Sequence, residues 1–199
     1  MALEIECKIY ISNATEIQRI LAQRAIRVKP RVFEQNVLYD TPDREFATND
    51  IVLRLRQDEQ TRLTYKGPMT VGANGIRQRL ELETSVGDFS ILDAILRHLG
   101  FARGMTYEKY RTTYQWPTLP DAEIVLDELP FGNFLEIEGV PTTIETILAD
   151  LGLGAVPIIP RSYIALFKRV CEHYQLPFTD LTFANFAGCE IDPAIFHES

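Results

Sequence analysis

Three pairs of carboxylates and three pairs of cations repeat at one spacing along this chain. The acidic pairs are Glu4/Glu6, Glu81/Glu83 and Glu136/Glu138. The basic pairs are Arg54/Arg56, Arg77/Arg79 and Lys109/Arg111. Alternate side chains of an extended chain share a face, so each pair sets two like charges on one side of a strand. A single such pair is ordinarily a solvated face, with ion pairs worth about 0–1 kcal/mol. Mixed charge on nearly every strand points instead to the walls of a charged cavity. Guanidinium and ammonium groups suit phosphate oxygens, which arginine grips bidentately. Clustered carboxylates suit a hard divalent cation. Both sets together suit a metal-bound polyphosphate.

These charges need strands to carry them. Residues 3–11 alternate Leu3, Ile5, Cys7 and Ile9 against Glu4, Glu6 and Lys8. Asn13 can cap a helix to about Ala25 with Ile17, Ile20, Leu21 and Ile26 on its apolar side, closed by Pro30. Residues 31–40 read as extended, through Val32, Phe33, Val37, Leu38 and Tyr39. Asp40-Thr41-Pro42-Asp43 is a turn signal. Strands follow at 51–56, 62–66 and 77–84, with a Gly-containing loop at 69–76. Asp88 or Ser90 can start a helix carrying Ile91, Ile95, Leu96 and Leu99, stopped at Gly100. A strand at 107–114 precedes a hairpin of 123–127 with 134–138. Thr142 or Thr143 would cap a helix to about Leu151, and Pro160 would open a last one from Ser162 to Tyr174. Seven or eight strands, mostly in hairpins, with three or four helices make an α+β chain with a largely antiparallel sheet. That sheet is either open with one wet face or closed as a barrel with a polar interior.

The chain has 199 residues with 46% hydrophobic and 24% charged residues, enough for one domain with a real core. A net charge of -8 argues against nucleic acid as a partner. Cys7, Cys171 and Cys189 lack metal or disulfide spacing and read as reduced thiols, so a cytoplasmic location is expected. No signal-peptide pattern and no membrane-length apolar run is present. His98, His173 and His197 lack metal-ligand spacing. Residues 72–75 lack the Gly-Lys-Ser/Thr ending of a phosphate-binding loop, and Ser162 has no nucleophile-elbow context.

Glu4-x-Glu6-x-Lys8 resembles the signature of the CYTH superfamily, the triphosphate tunnel metalloenzymes. Arg54-x-Arg56, Lys66, Glu81-x-Glu83, Lys109-x-Arg111, Asp127, Glu136-x-Glu138, Ser162-Tyr163 and Lys168 fit the family's order over residues 1–174. The resemblance implies an α+β eight-stranded antiparallel β-barrel around a tunnel, with helices outside. It implies that Lys8, Arg54, Arg56, Lys66, Lys109 and Arg111 bind triphosphate, with Lys168 added and Arg79 among the lumen cations. It implies Glu4, Glu6, Glu81, Glu83, Asp127, Glu136 and Glu138 as ligands of Mg²⁺ or Mn²⁺. Glu136 and Glu138 would be catalytic, with Lys8 orienting or deprotonating a nucleophile.

The leading expectation is metal-dependent hydrolysis of tripolyphosphate, thiamine triphosphate or ATP. A class IV adenylate cyclase uses the same groups, with the ribose 3′-hydroxyl attacking the α-phosphate. Phe33, Tyr39, Phe46 and Tyr65 are candidates to stack on its purine. A polyphosphate-binding module without catalysis is the third reading, and a plain structural barrel the fourth. Residues 1–175 are expected to form the tunnel domain. Residues 176–199 carry Phe178, Phe183, Phe186 and Phe196, so they are expected to pack on the body or to form a homodimer contact.

Overall fold

The computed structural model describes residues 2–197. Nine strands among them form one antiparallel sheet. They are β1 (Ala2–Ile11), β2 (Ile26–Asp40), β3 (Val52–Gln57), β4 (Thr61–Lys66), β5 (Thr70–Val71), β6 (Arg77–Val86), β7 (Ala102–Trp116), β8 (Leu119–Leu129) and β9 (Gly132–Glu138). Their order is β1-β9-β8-β7-β2-β3-β4-β6-β5, and β1 also pairs with β6. That last pairing, from Ala2 opposite Glu81 to Glu6 opposite Arg77, closes eight strands into a ring. The fold is the expected α+β antiparallel barrel. The loop expected at 69–76 contributes the short β5 alongside β6.

Register follows from the apolar faces, because a slip of one residue would turn every side chain over. Outward from the ring, Cys7, Ile9 and Ile11 of β1, Leu135 and Ile137 of β9 and Ile124 and Leu126 of β8 make one core. Helix α1 (Ala14–Arg24) covers it with Ile17 and Leu21, and α4 (Pro141–Asp150) with Ile144, Ile147 and Leu148. Each of these buried aliphatic side chains contributes roughly 1.5–3 kcal/mol. Asn13 caps α1 as expected, its side chain accepting from the Glu16 N–H at 3.0 Å.

The inward faces change character along the barrel. Glu4, Glu6 and Lys8 of β1 line a cavity, as do Glu138 and Glu136 of β9 and Arg111, Lys109 and Tyr107 of β7. One step further on the same faces come Tyr10, Phe134 and Met105, joined by Leu38 of β2 and Leu129 of β8. These apolar side chains pack under α5 (Tyr163–Tyr174), through Leu166 and Phe167, and under Leu181, Phe186 and Phe196 of the C-terminal segment. The segment is tied down by the Leu181 N–H donating to the Thr106 carbonyl and the Glu108 N–H donating to that of Leu181, both at 2.9 Å.

Four local expectations fail for identifiable reasons. Ile26 belongs to β2, not to α1, and stands 53% exposed. Pro30 closes nothing: it lies inside β2 where the pairing with β7 shifts between Lys29 and Val32, a bulge that tolerates its missing N–H. After the single-turn α2 (Glu45–Thr48), helix α3 (Phe89–His98) starts at Asp88 but turns Ile91, Ile95 and Leu99 to the outside. Asp93 decides this, because it is buried against Tyr39 at 2.7 Å and bound to Arg97 and Arg103. Finally, α4 starts on Pro141 at its first position, so Val140 takes the cap position rather than a threonine.

Candidate active site

The cavity inside the ring measures about 680 Å³, within the usual size of small-molecule sites. Lys8, Arg54, Arg56, Lys66, Arg79, Lys109 and Arg111 line it, together with Glu4, Glu6, Glu81, Glu83, Glu136 and Glu138. Two expected residues stand elsewhere. Lys168 is exposed on α5 and lies outside the lining, because the inner side of that helix is apolar. Asp127 lies beneath the lining with no exposed surface. Its carboxylate accepts from Lys109 at 2.9 Å, twice from Arg111 at 2.6 Å and from the Tyr163 hydroxyl at 3.0 Å. Oδ2 accepts three of these bonds and Oδ1 the fourth, so in this structure the carboxylate anchors cations beneath the lining.

Ring closure brings distant residues into ion pairs. Lys66 on β4 meets Glu4 at 2.8 Å and Glu81 at 2.7 Å. Arg77 on β6 meets Glu6 at 2.7 Å and Glu136 at 3.3 Å. Arg111 reaches Glu136 at 2.9 Å and Lys8 reaches it at 3.3 Å. Arg54 donates to the Tyr107 hydroxyl at 3.2 Å and to Thr64 at 3.1 Å, and lies 3.5 Å from Glu83. Arg79 lines the wall, but its guanidinium is held by the carbonyls of Gly67 and Asp50.

The reading of β2 as merely β-type residues missed two inward polar groups. Glu34 and Asn36 are buried. Arg56 donates to Asn36 at 3.1 Å and sits 3.4 Å from Glu34, which also lies 3.6 Å from Lys109. Their two-residue spacing was the available signal, masked by Phe33 and Val37 beside them. The buried Asn36 Nδ2 and the Nε atoms of Arg54 and Arg77 have no hydrogen-bond partner among the described residues. None of these atoms has a solvent-exposed surface, and Asn36 lies outside the cavity lining.

Burial shapes the charges. It pushes the Glu136 carboxyl up, but Lys8, Arg111, Lys109 and Arg77 outweigh it and hold that group well below the usual range. The same contest, with Lys109, Arg111, Arg56 and Arg54 against burial, keeps Glu34 ionised. Lys8 goes the other way. Burial and then Arg77 bring its amine down to about 8 against the pull of Glu136 and Glu6.

The rim is acidic. Glu123, Glu138 and Glu6 stand opposite one another across β8, β9 and β1. Like charges in such positions repel. Glu138 keeps an exposed side chain. Even so, partial desolvation and then the charges of Glu4, Glu123, Glu6 and Glu81 push it up to about 7. Glu6 is raised by burial and Glu136 despite its pair with Arg77. Among the described residues, no three acidic, histidine or cysteine side chains converge as a ready metal-ligand group, because Glu4, Glu6, Glu81 and Glu136 are turned onto cations. The donor chemistry nonetheless fits a hard cation at this rim.

In the metal-free protein, Glu138 couples stability to pH. Between pH 4.5 and about 7 the native state holds a proton on Glu138 that the unfolded state releases, so this group's contribution to stability falls as pH rises through that window. Glu138→Gln is therefore expected to raise the melting temperature at pH 8 and leave it nearly unchanged at pH 5. Salt should shrink the gain, since the side chain is exposed. Equal shifts at both pH values would refute the repulsion.

The CYTH domain family model matches residues 2–163, which span all nine strands. The chain belongs to the CYTH domain family. Among its relatives is a Methanocaldococcus jannaschii protein that carries a provisional adenylate cyclase name, 27% identical over 176 residues, covering 82% of this chain and 98% of that one. The solved PH1819 protein of Pyrococcus horikoshii is 27% identical with a TM-score of 0.69, covering 83% of this CYTH chain and 98% of that one. A Hippeastrum protein, provisionally an adenylyl cyclase and described as having a dominant triphosphatase activity, shares the fold at 18% identity with a TM-score of 0.65. It covers 83% of the CYTH chain described here and 95% of its own. The family match ends at Tyr163, so the rest of α5 and the C-terminal segment lie outside it. No helix among the described residues is long and apolar enough to cross a membrane.

Proposed function

We propose that this CYTH chain is a divalent-metal-dependent triphosphatase that hydrolyses a compact triphosphate such as inorganic tripolyphosphate. The observation that carries this reading is the set of buried and half-buried cations around the cavity, from Lys8 on β1, Arg54 and Arg56 on β3 and Lys109 and Arg111 on β7, beside an acidic rim. Arg54, Arg56, Lys109 and Arg111 hold the phosphate oxygens. Glu4, Glu6 and Glu138 would hold Mg²⁺ or Mn²⁺, with Glu4 and Glu6 giving up Lys66 and Arg77. A cation bound there supplies Lewis-acid polarisation of the phosphoryl group. Glu136 orients Lys8, Arg77 and Arg111 toward the phosphate chain, and the Lys8 amine accepts the proton of an attacking water.

The compact substrate is favoured by what the walls lack. Phe33, Tyr39, Phe46 and Tyr65 lie outside the lining. Of the lining aromatics, Tyr107 bonds to Arg54, and the face of Tyr163 is covered by Lys8 at 3.6 Å. Among the described residues no open aromatic face is left for a purine. Leu3, Val52 and Met69 favour the cyclase instead, as apolar residues of the lining that a base could contact.

The deciding experiment incubates the protein with tripolyphosphate, ATP or thiamine triphosphate, with Mg²⁺ or Mn²⁺, and identifies products. Orthophosphate released fastest from tripolyphosphate is expected. Cyclic AMP and pyrophosphate from ATP would replace this reading with the cyclase, and binding without any product would leave a polyphosphate-binding module.

A further inference from the structure

At the start of α5 one side chain touches both charge systems of the cavity. The Tyr163 hydroxyl donates to Asp127 Oδ2 at 3.0 Å. Its ring lies 3.6 Å from the Lys8 Nζ and 5.5 Å from that of Lys109. Two residues earlier, the Arg161 carbonyl accepts from Lys8 at 3.2 Å and from Arg77 at 3.0 Å. The beginning of α5 and the residues just before it therefore grip four of the cavity cations: Lys8 and Arg77 directly, Lys109 and Arg111 through Asp127.

This grip is braced from behind. Phe134 meets the Tyr163 ring edge-on at 5.3 Å and Phe196 at the same distance. Phe167, one turn further along α5, meets Phe186 at 6.1 Å. Phe186 and Phe196 belong to the C-terminal segment, which places the support for the tyrosine outside the part of the chain that matches the family model.

We infer that Tyr163 is a positioning residue for triphosphate binding and turnover. Its hydroxyl fixes Asp127, and through it Lys109 and Arg111. Its ring fixes the Lys8 amine from the opposite side, a contact between a cation and an aromatic face that strengthens away from water. The two halves of the side chain thus serve different steps: the hydroxyl serves binding and the ring serves the group that takes the proton. This inference rests on the triphosphatase reading above.

The test compares the full-length protein with Tyr163→Phe and Tyr163→Leu. Y163F keeps the ring against Phe134 and beside Lys8 and removes only the hydroxyl. Its KM and calorimetric Kd for tripolyphosphate are expected to rise about tenfold, with kcat within about twofold of the parent. Y163L removes the ring as well, and its kcat is expected to fall about tenfold or more in addition. Melting temperatures of all three are recorded alongside. A Y163F protein with unchanged KM and Kd, whatever its melting temperature, overturns the inference, because a purely structural hydroxyl would move stability alone. A Y163L protein with the kcat of Y163F overturns the role of the ring. The parent separates the two failures. A parent that neither binds nor hydrolyses tripolyphosphate overturns the triphosphatase reading and this inference with it, whereas an active parent indistinguishable from Y163F overturns this inference alone.

Discussion

Asp127→Asn is expected to lower the free energy of unfolding by about 3–5 kcal/mol, the cost of breaking a buried ion pair from one side. Asp127 has no exposed surface, and Lys109 has almost none. Every partner of its two oxygens is a donor: Lys109, Arg111 twice, and Tyr163. An asparagine offers one carbonyl to these donors and turns two N–H donors of its own toward them. Lys109 then keeps only Glu34 at 3.6 Å, and Arg111 only Glu136 at 2.9 Å, as carboxylate partners. The control lies on the same strand. Glu128 pairs bidentately with Arg31 at 2.8 and 3.0 Å, but that arginine is half exposed. Glu128→Gln is expected to cost below about 1 kcal/mol, because water replaces the lost partner and screens the charge. Urea unfolding of both variants at constant m-value is the measurement. A cost under 1 kcal/mol for Asp127→Asn would mean that Asp127 does not anchor Lys109 and Arg111.

The contrast also marks what was legible in the sequence. Glu4/Glu6, Arg54/Arg56 and Glu136/Glu138 announce inward strand faces, because two-residue spacing survives any choice of partner strand. The identity of each ion pair does not survive it. Lys66 meets Glu4 only because β1 closes onto β6, a contact across 62 residues that no local pattern encodes. For the same reason Asp127 reads as one more cavity carboxylate, although its position under Arg111 and Tyr163 takes it out of the lining. Glu34 and Asn36 were hidden because the apolar Phe33 and Val37 beside them dominate the reading of β2. In α3 a single buried polar residue overrode the apolar pattern. Asp93 needs Tyr39 and Arg103, and satisfying it rotates Ile91, Ile95 and Leu99 outward. Buried polar groups pay for desolvation only when bonded, so one such residue can outrank three aliphatic ones.

The largest effect on turnover is expected at Lys8. Lys8→Met keeps the length and apolar stem of the side chain and removes the amine, and kcat/KM for tripolyphosphate should fall at least about 100-fold. The pH profile distinguishes the two jobs an amine could do there. Burial and Arg77 bring Lys8 from the ordinary 10.5 to about 8. Below that pH it is an ammonium ion and cannot accept a proton. Above it the free amine can take one from water, so kcat/KM of the parent, which reports the free enzyme, should rise through pH 8 and level off. A phosphate-binding cation would give the opposite slope, with kcat/KM falling through the same pH. Stability supplies an independent check on whether the amine titrates there at all. The unfolded chain holds the Lys8 proton up to about pH 10.5, while the native state releases it from about 8. Between those values the native state binds fewer protons, so this group's contribution to stability rises with pH, and Lys8→Met should lack that rise. A parent whose melting temperature shows the rise while its kcat/KM falls would place the titration correctly and refute the role of Lys8 as a base. The water would then have to be activated from the acidic rim at Glu138 and Glu6.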